Sequence, residues 1–402
     1  MKKVRIPLLA KIIIAIVVGV LMGQFAPAVV MRTMNTFCGL FDQLMRFMIP
    51  LIIVGLVTPA IADVGDRAGR MLVLTVLMSY FFTVFSGVFA YGCSTRLFPH
   101  FLHAENLKEL EAESLVFPPF FTIQIPPLME VMTALVLSFM LGLGIAVIKS
   151  PVLQKGFQEM QAIVVKVIEK VIIPFLPIYI FSLFLDMAAT GKVTPVIKAF
   201  IAIVVIIFVM TLALLLIQFT VAGLVAKKNP LVMLKNMLPA YFTALGTSSS
   251  AATIPVTLKC VAKNGVNPSL GGFTVPLCAT IHLSGSTLKI TSCAIALMML
   301  IGKEVEFSTM LGFILMLGVT MVAAPGVPGG AIMAALGILD SILGFDTEQQ
   351  GMMITLYIAM DSFGTACNVT GDGAIALVID KMNKGKGEAV YDVKNEAMKR
   401  EE

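Results

Sequence analysis

The chain has 402 residues, 58% of them hydrophobic and only 13% charged, with a formal net charge of +5. Soluble domains carry about 25% charged residues, so this composition, with a mean hydropathy of +0.95, excludes an ordinary water-soluble protein. Long apolar runs recur to the end of the sequence, which argues against a soluble protein behind a cleavable leader.

A hydrocarbon core about 30 Å thick needs roughly 20 helical residues. Residues 8–26 form the first predicted span, behind Lys2, Lys3 and Arg5. The second is 37–62, with Asp42 and Arg46 in its opening turns, and the third is 71–98, after the hydrophilic turn 63–70. Residues 99–119 read as a loop carrying Glu105, Glu109, Glu111 and Glu113. Spans over 126–148, 164–187 and 196–225 follow, the last ending at Lys227 and Lys228. Basic groups at the N-terminus, Arg67/Arg70, Lys149/Lys155 and Lys227/Lys228 fall on one side and the acidic loop on the other. Positive-inside counting therefore puts the N-terminus in the cytoplasm. These charges set topology and form no nucleic-acid patch. The six Cys sit in or beside apolar segments, none at metal-ligand spacing, and read as small packed hydrophobes. Gly in the N-terminal spans is expected to permit close helix approach.

After Lys235 the pattern changes. The stretch A-L-G-T-S-S-S-A-A-T-I-P, residues 244–255, is a hydroxyl-rich tip between two apolar runs too short to cross a bilayer. A second tip, A-P-G-V-P-G-G-A at 324–331, interrupts the charge-free run 307–339. A polar turn at membrane depth is tolerated only where protein buries it or a wet cavity receives it. Paired interrupted segments point to a transporter's binding site. The pattern predicts a split hairpin at about 232–263, a span at 269–301, a second split hairpin at about 305–343 and a span at 348–381. Each long span is expected to break, the first at His282–Ser286 and the second at Asn368–Gly373. The interval from Gly246 to Ser284 nearly equals that from Pro328 to Thr370, which predicts a duplicated, inverted unit. The mixed-charge tail reads as a cytoplasmic end.

At these residues the sequence resembles the glutamate-transporter family, the dicarboxylate/amino acid:cation symporters. The resemblance rests on F-M-I-P-L-I-I-V-G-L-V at 47–57, the serine-rich tip, A-P-G-V-P-G-G and the N-V-T-G-D box. It implies an all-α polytopic membrane protein with eight transmembrane helices, two re-entrant helical hairpins and inverted repeats, working as an elevator within a homotrimer. Residues 1–231 would then be mainly scaffold and trimerisation spans, with the third span near the core. Residues 232–382 would be the transport core, and 383–402 a tail. The resemblance also implies the plasma (bacterial inner) membrane, lipid contact, sodium as coupling ion and no other cofactor.

Carried over position by position, the resemblance gives a substrate site of Ser248, Ser249, Ser250, Ser286, Val327, Gly329, Asp361, Thr365 and Asn368. Asp361 stands where the family holds the substrate's ammonium. The positions at which acidic-substrate members carry an Arg are Gly364 and Ser248, and no Arg occurs between Arg96 and Arg400. Bidentate guanidinium recognition of a second carboxylate is therefore absent from the core. The family's sodium ligands map onto Cys278, His282, Asn368 and Asp372, with Thr83 of the third span at a further site. The family's N-M-D-G-T reads H-L-S-G-S here, so an Asn becomes His282 and a carboxylate becomes Ser284. Lys289 stands where the family has Tyr, and an ionisable residue inside a span is a functional candidate by default.

The expected function is sodium-driven symport of a small neutral amino acid with fewer sodium sites than the family's usual pattern. His282, as a proton-coupling site, and Lys289 are the coupling candidates, and Lys289 is expected to pair with Asp361 or Asp372. Three other readings compete with these. The serines could cap a turn, Asp361 could be a structural acid, and His282 a packed neutral imidazole. The alternative function is a dicarboxylate or acidic amino acid symporter, sodium- or proton-coupled, using Lys289; a passive channel is more remote. No nucleophile triad, paired-metal or nucleotide motif points to an enzyme.

Overall fold

The computed structural model describes residues 8–23, 25–66, 70–102, 117–189, 193–324 and 329–383. The acidic loop residues from Glu105 to Glu113, Arg67, Val327 and the tail fall outside the described residues, as do the basic residues of the N-terminus.

Within the described residues the regular structure is helical. The N-terminal half contains α1 (Leu8–Gly23), α2 (Ala28–Asp66), α3 (Arg70–Leu97) and α4 (Val131–Ile148). Next come α5 (Pro151–Val167) and α6 (Ile173–Ala189), then α7 (Val193–Ala226). The C-terminal half contains α8 (Pro230–Thr247), α9 (Ser250–Lys263), α10 (Pro268–Ile281) and α11 (Ser284–Leu300). It continues with α12 (Phe307–Val322), α13 (Gly330–Leu343), α14 (Thr347–Ala359) and α15 (Asp361–Asn383).

The segments expected as spans are helical, with shifted ends. The fourth begins at Val131 rather than 126; the ring of Pro127 disfavours helical backbone at the residue before it, Pro126. The fifth extends back to Pro151, where the Ser150 side chain accepts from Leu153 N–H as an N-cap. A π-turn at Ile168–Ile172 joins α5 to α6. Among the described residues, five stretches are long and apolar enough to cross a membrane: Ala28–Ala62, Met71–His100, Pro151–Ala189, Ile197–Ala226 and Pro268–Leu300. The remaining apolar helices are shorter.

Close approach of α1 to α6 depends on Gly19 and Gly23. A Cβ at Gly19 would lie 2.8 Å from the Phe181 carbonyl oxygen, and one at Gly23 would lie 2.5 Å from that of Leu185. Small residues four apart let backbones meet in this way.

Two apolar clusters hold the molecule together. One joins α2, α6, α7 and α11 to α14, and the other joins α8, α9, α10 and α15. Helix α11 is buried along nearly its whole length between α3 and α15. Helix α7 packs on α15 and α8.

One sequence expectation is corrected. The last long span does not break at Asn368–Gly373; those residues lie in the interior of continuous α15, and the break is at Met360. The glycines of that box serve packing instead. A Cβ at Gly371 would meet His282 Cε1 at 2.6 Å and Gln218 Oε1 at 2.8 Å, and one at Gly373 would meet the Met237 side chain. The near-equality of the two intervals, which used Thr370 as a break, goes with it. What repeats is the order: two helices in contact followed by a helix pair with a kink, first α8–α11 and then α12–α15.

Candidate functional site

The serine tip is built by its own side chains. Ser248 closes α8 in a left-handed conformation, φ +50°, which is strained for a residue with a Cβ. Its Oγ lies 2.7 Å from Ser362 Oγ, a bond that ties the tip to the start of α15. Ser249 caps α9, its Oγ accepting from Ala252 N–H at 3.3 Å. Ser250 and Ala251 therefore open α9 with first-turn N–H groups that have no intrahelical partner. Such a helix start favours an anion.

A cavity of about 80 Å³ lies in front of them. Its wall includes Ser248, Ser250, Ser286, Tyr357, Asp361, Thr365 and Asn368, with Ala251, Ala279 and Ala331. Six of the sequence-assigned substrate residues thus meet in one place. Ser249 stands behind them as a cap, and Val327 lies outside the described residues.

Asn368 organises the kink between α10 and α11. Its Oδ1 accepts from Gly285 N–H at 2.8 Å and from Ser286 N–H at 3.4 Å, while Nδ2 donates to Ser286 Oγ at 3.2 Å. An amide has two donor hydrogens, so one remains for a ligand. Ser286 Oγ also bonds Tyr357 Oη at 3.0 Å.

Asp361 sits at the opening of α15. Its Oδ2 accepts from Gly329 N–H at 3.0 Å, and Gly329 leads into α13 with φ +75°. Its Oδ1 lies 3.7 Å from Lys289 Nζ. The lysine donates to Met360 O at 3.2 Å and lies 3.8 Å above the Tyr357 ring. Of the two acids the sequence offered as partners, Asp361 is the one that pairs. Lys289 does not line the serine-tip cavity; it opens on a separate apolar cavity of about 230 Å³ with Val204, Ile207, Phe208 and Phe363.

Asp372 lies deeper in α15, and its Oδ1 is 2.9 Å from His282 Nδ1. Both side chains are buried. Cys278 O accepts the His282 N–H at 2.8 Å, and Cys278 Sγ lies 3.7 Å from Ser79 Oγ of α3. Thr83, one turn further along α3, is buried with no partner for its Oγ1 among the described residues. Gln218 of α7 donates from Nε2 to Ser284 Oγ at 3.2 Å, and its Oε1 also lacks a partner. A carboxylate with unpartnered buried oxygens nearby suits a hard cation such as sodium. The His282 bond to Asp372 reduces that fit, because it engages one carboxylate oxygen.

Sequence reasoning missed Gln218, Ser362 and Tyr357. Gln218 had a signal: an amide in an otherwise apolar run, which at membrane depth marks a buried contact.

The model of the sodium:dicarboxylate symporter family matches residues 8–382. The chain belongs to that family. It is 28% identical to a serine/threonine transporter, SstT, of Acinetobacter baumannii strain AYE, over 94% of this chain and 97% of that protein. It is 32% identical to excitatory amino acid transporter 1 of Homo sapiens over 40% of this chain and 30% of that one. Excitatory amino acid transporter 5 of Mus musculus is also 32% identical, over 38% of this chain and 27% of that one. Family membership makes the protein a membrane transporter and not an enzyme.

Proposed function

We propose that this transporter couples entry of a small neutral amino acid to sodium. The observation that carries the reading is the cavity wall: Asp361 is present, no Arg is, and Lys289 stands outside it. A zwitterion fits such a wall. Its ammonium faces Asp361, and its carboxylate faces the N-terminus of α9 and the free Asn368 donor. The cavity is far smaller than the roughly 300–1,000 Å³ that holds drug-sized ligands, which favours a small side chain. Likeness to a serine/threonine transporter along nearly the whole chain supports the same class.

Tip residues Ser248, Ser249 and Ser250 form the fixed side of the site. Gly329, which donates to Asp361, stands on the side of the site that would close over the substrate. Ser286, Thr365 and Asn368 shape the floor. Sodium would be held by Asp372 and Asn368 and by carbonyl oxygens at Cys278 and His282, with Thr83 at a further position. Bound there, it would supply the positive charge that offsets Asp372.

Eight transmembrane helices and two re-entrant hairpins account for the helix order. In this reading residues 232–382, joined by α3 and α7, move as an elevator against the rest of 1–231 in a homotrimer. The membrane is the plasma membrane, with both termini cytoplasmic and 383–402 as a tail. The dicarboxylate reading is disfavoured because its required cation, Lys289, is engaged behind Asp361.

Uptake into proteoliposomes, with a panel of amino acids under sodium and proton gradients applied separately, tests the proposal. Serine, threonine or alanine should accumulate against their gradient with sodium. Accumulation of dicarboxylates alone, or mere equilibration as through a channel, would reject it.

A further inference from the structure

Lys289 is outside the cavity wall, yet its ammonium faces the carboxylate that the proposed substrate needs. The side chain is only 1% exposed. Its three donors face three groups around the α14–α15 kink: the Met360 carbonyl, the face of Tyr357 and Asp361 Oδ1. At 3.7 Å the contact with Asp361 is longer than a hydrogen bond, so it is Coulombic and can be given up without breaking one. The other carboxylate oxygen accepts the N–H of Gly329 at the hairpin tip. Asp361 is therefore satisfied from two sides with no ligand involved, and the tip is drawn toward it.

A substrate ammonium arriving at Asp361 would place two cations on one carboxylate. Like charges in a low-dielectric interior repel strongly, so tethered and substrate ammonium compete for it. Once substrate leaves, a carboxylate without a partner would be costly to carry through an apolar interior.

We infer that Lys289 is a built-in counter-cation for the empty carrier. It holds Asp361 when no substrate is bound, yields to the substrate's ammonium, and takes Asp361 back after release. With Gly329 N–H on the same carboxylate, the empty core then returns without an exported cation. Lys289 is thus a positioning residue that acts through Asp361. This role rests on the symport reading above, and it predicts net uptake rather than obligatory exchange.

The test compares two modes in proteoliposomes under an inward sodium gradient. One is net uptake of labelled serine into serine-free vesicles, and the other is exchange into serine-loaded vesicles. Wild type should show both. In Lys289→Met, net uptake should fall by about tenfold or more while exchange stays within about threefold of wild type, a tenfold change being about 1.4 kcal/mol. The exchange KM should fall several-fold, because the competing ammonium is gone. Lys289→Arg should keep both modes. A purely structural lysine would instead lower both modes together. Absence of both modes in wild type, for every neutral amino acid, would reject the transport reading itself. If Lys289→Met retains the wild-type ratio of net uptake to exchange, or if it and Lys289→Gln both lose the two modes together, the role of Lys289 alone is overturned.

Discussion

Gly364 and Lys289 occupy one volume: a Cβ on the glycine would collide with Cε and Nζ of the lysine. In acidic-substrate members of the family a guanidinium side chain is expected at the position of Gly364. Here the cation enters from α11 instead, and the glycine makes room for it.

That shared volume predicts a coupled pair. Gly364→Ala should push Lys289 away from Asp361 or force α15 outward, an overpacking cost of about 1–3 kcal/mol. Removing the lysine side chain should relieve it. In a double-mutant cycle the thermal stability of Lys289→Ala/Gly364→Ala should exceed the sum of the single effects. Strict additivity would mean the two do not share that space.

Asp361 can be tested without losing its bond to Gly329. In Asp361→Asn the amide oxygen can still accept from Gly329 N–H, so tip geometry should persist. The substrate ammonium would lose its charged partner, and transport in both net-uptake and exchange modes should fall to background. Expression and assembly should be unchanged. Normal transport by this variant would make Asp361 a structural acid.

Much of this was legible in the sequence, for reasons of physical chemistry. Long apolar runs reveal helices because a bilayer leaves no other way to satisfy the backbone. The polar stretch at 244–255 reveals the break between α8 and α9 because such a turn needs protein or water around it. The second kink was less legible. Asn368–Gly373 reads as a breaker, with three polar residues and two glycines, but tertiary packing against His282, Gln218 and Met237 keeps it helical. Met360, where α14 ends, carries no local signal. The Lys289–Asp361 pairing was visible only as one of two choices, since helix spacing alone cannot say which acid a lysine on another helix will reach.

Substrate charge follows from the cavity wall. With no Arg between Arg96 and Arg400 and Lys289 behind Asp361, a second carboxylate on the substrate has no charged partner. Leaving such a group unpaired costs about 1–3 kcal/mol or more, so serine should be preferred over aspartate by about tenfold or more. Competition against labelled serine at equal concentration measures this. Stronger inhibition by aspartate than by unlabelled serine would contradict it.

The coupling ratio is the most exposed expectation. Where the family has a carboxylate and an amide, this chain has Ser284 and His282, and His282 engages one oxygen of Asp372. One anionic ligand is lost and another is partly occupied, so fewer sodium ions should move with each substrate than in the family's usual pattern. The site around Ser284 is nevertheless receptive. Gln218 Nε2 already donates to its oxygen, and Gln218 Oε1 and Thr83 Oγ1 are buried without partners among the described residues. A carboxylate at this position would keep the Gln218 bond and add a charge beside unpartnered oxygens, the kind of donor set a hard cation takes. Restoring the family's pair with His282→Asn/Ser284→Asp should therefore raise the sodium-to-serine ratio. The reversal potential of transport in proteoliposomes reports that ratio directly. It should shift in the double variant toward one more sodium per serine, while Lys289→Arg leaves it where it was. An unchanged reversal potential in the double variant would mean that neither substitution had removed a sodium site.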